Sequence, residues 1–427
     1  GNGIVYADRR WSPKMQEVKF LYQNVKLLPD SQGFTIRNEN LFVGLDAYEL
    51  QYALNYEGRV IQRGTVFAQV NPGEEKYVEV DLPDIKNQSG EYSLDVSLVL
   101  KEDSLWANSG YEIAFGQHVF QVANTSAEES LTDAKITSVV NDFRVVEGDV
   151  NIGVHGRDFS VMFSKQAGTL ISVKYSGQEM ISSPPAPLFW RAMTDNDKGA
   201  GMHFDSSPWY AASLTRRTLS FELVEEKDRA TVTYVYKLSV SEEGRVRVTY
   251  TVFSDGSIQV KSSYHGAAGL PKLPLFALSF KVPADYHQLN WYANGPEENY
   301  IDRACGARLC RFQNHAVDNV SSYLVPQESG NRTGVREVSI KNDYGQGIII
   351  SAPATAPVEA NISPYSAMEL ENATHHYELP NVHYTVVTIA GRQMGVGGDD
   401  SWGAPVLDEY QINPSLDMDF EFTIRRA

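Results

Sequence analysis

Three strand-like runs, Ala230–Val240, Arg245–Ser254 and Ser257–Ser263, follow one another with only short breaks, and the last break carries Asp255-Gly256. That dipeptide accepts positive φ in a tight hairpin, so an antiparallel meander is hard to avoid. The bias extends along the chain: 23 Tyr and 18 Phe, with abundant Val and Thr, suit pleated, half-buried surfaces. Long helical stripes are almost absent. One short helix is predicted around Pro13–Tyr22, where Met15, Val18 and Tyr22 fall at i, i+3 and i+7 behind a Ser12-Pro13 start.

At 427 residues the chain exceeds one ordinary core, which stops growing near ~250–300 residues, and suits two or three domains. Alternation from Lys26 onward includes Glu49–Leu54, a turn at Glu57-Gly58 and a return at Arg59–Ile61. Further strands are predicted at Lys76–Leu82, Tyr92–Lys101 and Gln117–Val122. About seven short strands in this span predict an immunoglobulin-like β-sandwich over 20–123. The polar stretch Asn124–Asp133 reads as a linker, and 134–427 as one large β-sandwich whose strand-like runs continue to Thr423.

A net charge of -17 repels phosphate backbones and anionic lipid, so neither nucleic acid nor membrane is an expected partner. The longest apolar runs, such as Gly347–Ile350, are strand-sized rather than membrane-spanning. Two cysteines, Cys305 and Cys310, make no disulfide framework; their spacing allows a local link, but two buried free thiols are the preferred reading. Gly1–Val5 is neither a methionine start nor a signal peptide, so the chain reads as cut from something longer, with its compartment left open.

Four segments concentrate polar residues around Gly, Pro and aromatic residues and read as loops: Trp190–Asp197, Asn294–Arg303, Val325–Thr333 and Gly395–Trp402. Their amides, carboxylates and guanidinium groups can shape loops or bond sugar hydroxyls. Loop shaping is the preferred role for Asp195, Asn196, Asp197, Glu297, Glu298, Asn299, Glu328, Asn331, Arg332, Asp399 and Asp400. Trp402 stands apart, because a flat side chain after Gly397-Gly398 can offer its face to a pyranose or plug the sandwich end. Glycosidases oppose two acids across the scissile bond. The pairs here (Asp195 with Asp197, Glu297 with Glu298, Asp399 with Asp400) are near neighbours of the kind that accept backbone N–H bonds in turns. His375, His376 and His383 lack carboxylates at ligand spacing, and Gly330-Asn331-Arg332 is no nucleotide loop, so no cofactor is expected in the chain.

At these residues the chain resembles the C-terminal part of the β-galactosidases of glycoside hydrolase family 2. Trp190–Asp197 followed by Gly199, Gly295-Pro296 through Arg303, Pro326 through Arg332, and Gln393-Met394-Gly395 through Trp402 follow that family's small-chain pattern in order and spacing. Asn2–Arg9 is similar to the segment with which the family's catalytic barrel closes, although Arg10-Trp11-Ser12-Pro13 departs from the usual Pro-His-Pro. The resemblance spans essentially the whole chain and is weakest over 30–120. It implies a barrel tail over 1–19, then the immunoglobulin-like domain, then a mutarotase-like supersandwich over 134–427.

In the family the acid/base and nucleophile are two barrel glutamates that act with retention, and the barrel also holds magnesium. The resemblance therefore implies that no catalytic residue lies in this chain. It makes Trp402 the platform for the leaving sugar, Gly199 with Ala200 and Gly201 a mobile loop near the site, and Asn2 a sodium ligand in the whole enzyme only. The expected partners are a β-galactoside, the enzyme's own barrel and further copies of the chain. Two rival readings are a stand-alone galactoside-binding module and an aldose 1-epimerase pairing His383 with Glu328.

Overall fold

The computed structural model describes residues 4–85, 88–123, 142–400 and 402–427. Asn2 and the linker Asn124–Asp133 lie outside them. Contacts divide the chain into two compact units: Lys14–Thr137 with Cys305–Arg311, and Gly1–Pro13, Ser138–Ala304 and Phe312–Ala427. Residues 305–311 thus group with the smaller unit, although chain order puts them in the later module, and residues 1–13 group with the larger.

The smaller unit opens with helix α1 (Lys14–Leu21), none of whose residues is buried, so the Met15–Val18–Tyr22 stripe is not a core face. Seven strands follow among the described residues: β1 (Val25–Pro29), β2 (Gly33–Asn38), β3 (Tyr48–Tyr56), β4 (Arg59–Val66), β5 (Glu75–Glu79), β6 (Gly90–Leu100) and β7 (Glu112–Val122). They form two antiparallel sheets, β1-β2-β5 and β4-β3-β6-β7. The β3–β4 hairpin turns on Glu57 and Gly58, both at positive φ (49° and 70°), as a two-residue turn that matches strand twist requires. Inward side chains of both sheets (Leu27, Phe34, Ile36, Leu50, Leu94, Val96) make the core of an immunoglobulin-like sandwich.

β7 begins five residues before the predicted Gln117. The obstacle to reading it was Gly116, which marks a close approach and not a break: a Cβ there would stand 2.0 Å from the Leu27 carbonyl oxygen. Buried Gln23 spans the same region, accepting from Phe115 N–H at 3.0 Å and donating to Phe115 C=O at 3.2 Å.

Among the described residues the larger unit holds three antiparallel sheets. One is a five-stranded meander from Arg144–Glu147 to Gln178–Glu179. A second five-stranded sheet runs Ser183–Leu188, Leu275–Pro283, Tyr384–Gln393, Val358–Ser363 and Arg332–Val335. The nine-stranded sheet contains the meander Arg229–Leu238, Arg245–Phe253 and Ile258–His265, whose last turn has Gly256 at φ 85°. Burial alternates strictly along Arg229–Leu238. All three sheets contribute to one core, represented by Phe163, Leu278 and Tyr250. Among the described residues no helix is long and apolar enough to cross a membrane.

Three expectations need correction. Asp195–Gly199 is a short helix, α2, followed by α3 (Met202–Asp205) and α4 (Ser207–Leu214). The cause is a capping box: Thr194 Oγ1 accepts from Asp197 N–H while the Asp197 carboxylate accepts from Thr194 N–H. Two further polar segments are strand at their ends, since Gly295 closes Gln288–Gly295 and Arg332 opens Arg332–Val335. Cys305 is exposed and Cys310 half-buried, with no disulfide between them; both sit where a strand begins at the surface instead of in a core.

Candidate functional site

Trp402 is 87% exposed. It is presented by its backbone: Asp400 Oδ1 accepts from Trp402 N–H at 2.8 Å and from Ala404 N–H at 3.2 Å, which holds the Asp400 carboxyl below its ordinary range. At the root of the loop, Asp302 Oδ2 accepts from Val396 N–H and Gly397 N–H, each at 2.8 Å. Beyond Trp402, Gly403 (φ 132°) lies so close to the end of α2 that a Cβ on it would stand 2.7 Å from the Gly199 carbonyl oxygen. The structure therefore brings together Trp402 and the Gly199–Gly201 turn, two features singled out separately in the sequence. Gly201 takes φ 74° as it leads into α3.

Beneath this surface lies Arg191, fully buried. It donates to Asp197 Oδ1 at 2.9 Å and Oδ2 at 3.1 Å, to Gly395 C=O at 2.7 Å and to Met394 C=O. One guanidinium thus ties α2 to the start of the Trp402 loop, a planar fork matched to a carboxylate. Asp195 is engaged by Gln327, whose amide donates to Asp195 Oδ2 at 3.2 Å and accepts from its N–H at 3.1 Å. A cavity of about 320 Å³ lies beside these elements, lined by residues that include Asn196, Met202, Leu270, Met394, Pro405 and Gln411.

The remaining predicted polar residues form a second cluster. Buried Glu298 binds Arg303 at 2.6 Å and accepts from Gly330 N–H at 2.6 Å. Tyr323 also donates to Glu298, at 3.4 Å, and stacks edge-on with Tyr6. Asn299 accepts from Thr333 N–H and Oγ1–H, and Arg332 donates to the carbonyls of Pro296 and Gly330. Asn331 donates to Asn299 C=O at 3.1 Å and to Glu359 at 2.9 Å. Glu297 and Asp399 are exposed.

Tyr323, Glu359 and Asn361 were missed in the sequence. Glu359 and Asn361 alternate with Val358, Ala360 and Ile362 on a strand whose apolar face is buried and whose polar face is half-buried, and alternation of that kind reads as a strand with one face toward solvent, so it gave no sign of the cluster. Burial pushes the Glu359 carboxyl up to about 7 and raises Glu328 as well. Asn361 donates to Glu328 at 2.8 Å. His383, imagined as a partner of Glu328, is exposed while Glu328 is buried. Among the described residues no group of three or more His, Cys, Asp or Glu is set to hold a metal ion.

A family model described as the β-galactosidase small chain matches residues 155–424, and one described as β-galactosidase domain 4 matches 34–121. A β-galactosidase of Halalkalibacterium halodurans is 55% identical over 430 residues, which cover 100% of this chain and 42% of that protein. The β-galactosidase small subunit of Latilactobacillus sakei is 36% identical over 313 residues, 66% of this chain and 96% of its own length. Among solved structures, a galactose mutarotase related enzyme from Lactobacillus acidophilus aligns with a TM-score of 0.34 and 12% identity, over 65% of this chain and 97% of that one. With one model matching more than half of its length and a relative that matches it from end to end over 42% of its own length, the chain belongs to the β-galactosidase small-chain family.

Proposed function

We propose that this chain is the non-catalytic C-terminal portion of a retaining family 2 β-galactosidase, and that it supplies the acceptor-side sugar wall through Trp402. The observation that carries this reading is a nearly bare indole on a backbone fixed at three points, by Asp302, by Asp400 and by the Gly199 contact. An exposed aromatic plane on a stiff support suits the apolar face of a sugar, since little order is lost when the sugar lands. The acids of the paired positions support the reading from the other side: Asp197, Glu298 and Asp400 are occupied by a guanidinium or by backbone N–H groups, the work of loop-shaping carboxylates. Magnesium and sodium belong to the whole enzyme in this reading, together with the two barrel glutamates.

The test uses two preparations. The purified chain should show no turnover of a chromogenic β-galactoside; activity that survives repurification and disappears on mutating an acid of this chain overturns the proposal. In a chimera where this chain replaces the matching part of the Halalkalibacterium halodurans enzyme, Trp402→Ala should raise KM for lactose and leave the fold intact. Tight lactose binding by the chain alone, abolished by the same substitution, would favour a stand-alone galactoside-binding module.

A further inference from the structure

Two histidines at one end of the nine-stranded sheet are used by none of the features above. His287 immediately precedes the strand Gln288–Gly295, and His315 ends Arg308–His315. The hydrogen bond from Ala316 N–H to His287 C=O, 2.9 Å, sets them side by side. Their Nδ1 atoms are 3.0 Å apart, with ring centroids separated by 5.1 Å. On its other nitrogen, His287 Nε2 faces Asp343 Oδ1 at 3.7 Å, and Gln288 steadies that carboxylate with a 2.6 Å hydrogen bond. His315 is exposed and His287 half-buried, so the pair is open to solvent.

We propose that His287 and His315 chelate a divalent transition ion of the zinc, nickel or copper class through their Nδ1 atoms. Two imidazole nitrogens about 3 Å apart can both reach one ion at the usual ~2.0–2.1 Å. Asp343 stands on the side of the far nitrogen of His287 at 3.7 Å, too long for a hydrogen bond, and its charge favours a proton on that nitrogen, which leaves the Nδ1 lone pair for a metal. Binding must displace two arrangements that engage these rings: a hydrogen bond between them, in which one Nδ1 keeps its proton, and the capping box of the turn Ala316–Asn319, in which the His315 side chain accepts from Asp318 N–H. Since no third His, Cys, Asp or Glu joins the pair among the described residues, water fills the remaining positions. The site takes an exchangeable ion, and imidazole selects against magnesium and calcium.

The experiment is a calorimetric titration of the chain with zinc or nickel chloride, with magnesium chloride as the control. We expect a binding event for zinc and nickel that His315→Ala and His287→Ala each weaken at least about tenfold, and that Asp343→Asn weakens by less than either. Thermal melts of the same samples should show the ion raising the Tm of the unsubstituted chain but not of the histidine variants. The proposal falls if His315→Ala binds as tightly as the parent, or if only His287→Ala loses binding, which would leave a lone surface histidine as the ligand.

Discussion

Gly199 and Gly403 meet backbone against backbone: a Cβ built on Gly199 would lie 3.2 Å from Gly403 Cα, and one on Gly403 would lie 2.7 Å from Gly199 C=O. The two positions differ in backbone as well as space, because only Gly403 holds a φ (132°) that side chains rarely adopt. Gly403→Ala should therefore cost ~1–3 kcal/mol in urea denaturation. Gly199→Ala needs a shift of only a few tenths of an ångström and should cost less than half as much.

Removing the acid from the buried Arg191–Asp197 pair leaves a guanidinium without its counter-charge and α2 without the reciprocal half of its capping box. Asp197→Ala should lose about 3–5 kcal/mol, read from the denaturation midpoint. Arg191→Met combined with Asp197→Ala should lose less than the two single losses added together, because each single variant strands a buried charge and the double variant strands none.

The raised carboxyl of Glu359 makes a pH prediction. Its folded value of about 7 lies above the ordinary carboxyl value of 4.5, so the folded state binds the proton more tightly than the unfolded state does. The stability this contributes is complete below about pH 4.5 and is lost as pH rises toward 7, on the order of 3 kcal/mol in all. Compared with the parent, Glu359→Gln should show a flatter stability profile across that interval, measured by denaturation at a series of pH values.

Trp402→Ala should leave stability within about 0.5 kcal/mol, since the side chain is almost wholly outside the packed interior. Asp400→Ala should instead free the N–H groups of Trp402 and Ala404, and hydrogen exchange at those amides should quicken while the global midpoint barely moves.

How far the sequence could be read depended on the range of the interaction involved. The Glu57-Gly58 hairpin and the meander closing at Asp255-Gly256 follow from neighbouring residues and period-two burial, and both were legible. Helices α3 and α4 were not, because α3 has four residues and α4, Ser207-Pro208-Trp209-Tyr210-Ala211-Ala212-Ser213-Leu214, spreads its apolar residues round the helix and leaves no stripe. Among the site residues, the polar types and the loop around Trp402 could be named in advance. Their partners could not: Arg191 reaches Gly395 across 204 positions and Asp302 reaches Val396 across 94. Glu359 was hidden because a carboxylate on a strand reads as solvent-facing until the second layer that covers it is known.

The segment before Lys14, which resembles the close of another domain, packs as part of this one. Tyr6 covers the ring of Tyr323, whose hydroxyl reaches Glu298, and Arg10 donates to Ser322. An expression boundary drawn at Lys14 would strip that cover and let water reach the Glu298–Arg303 pair. Such a shortened product should therefore be judged as a damaged protein, not as a cleaner domain.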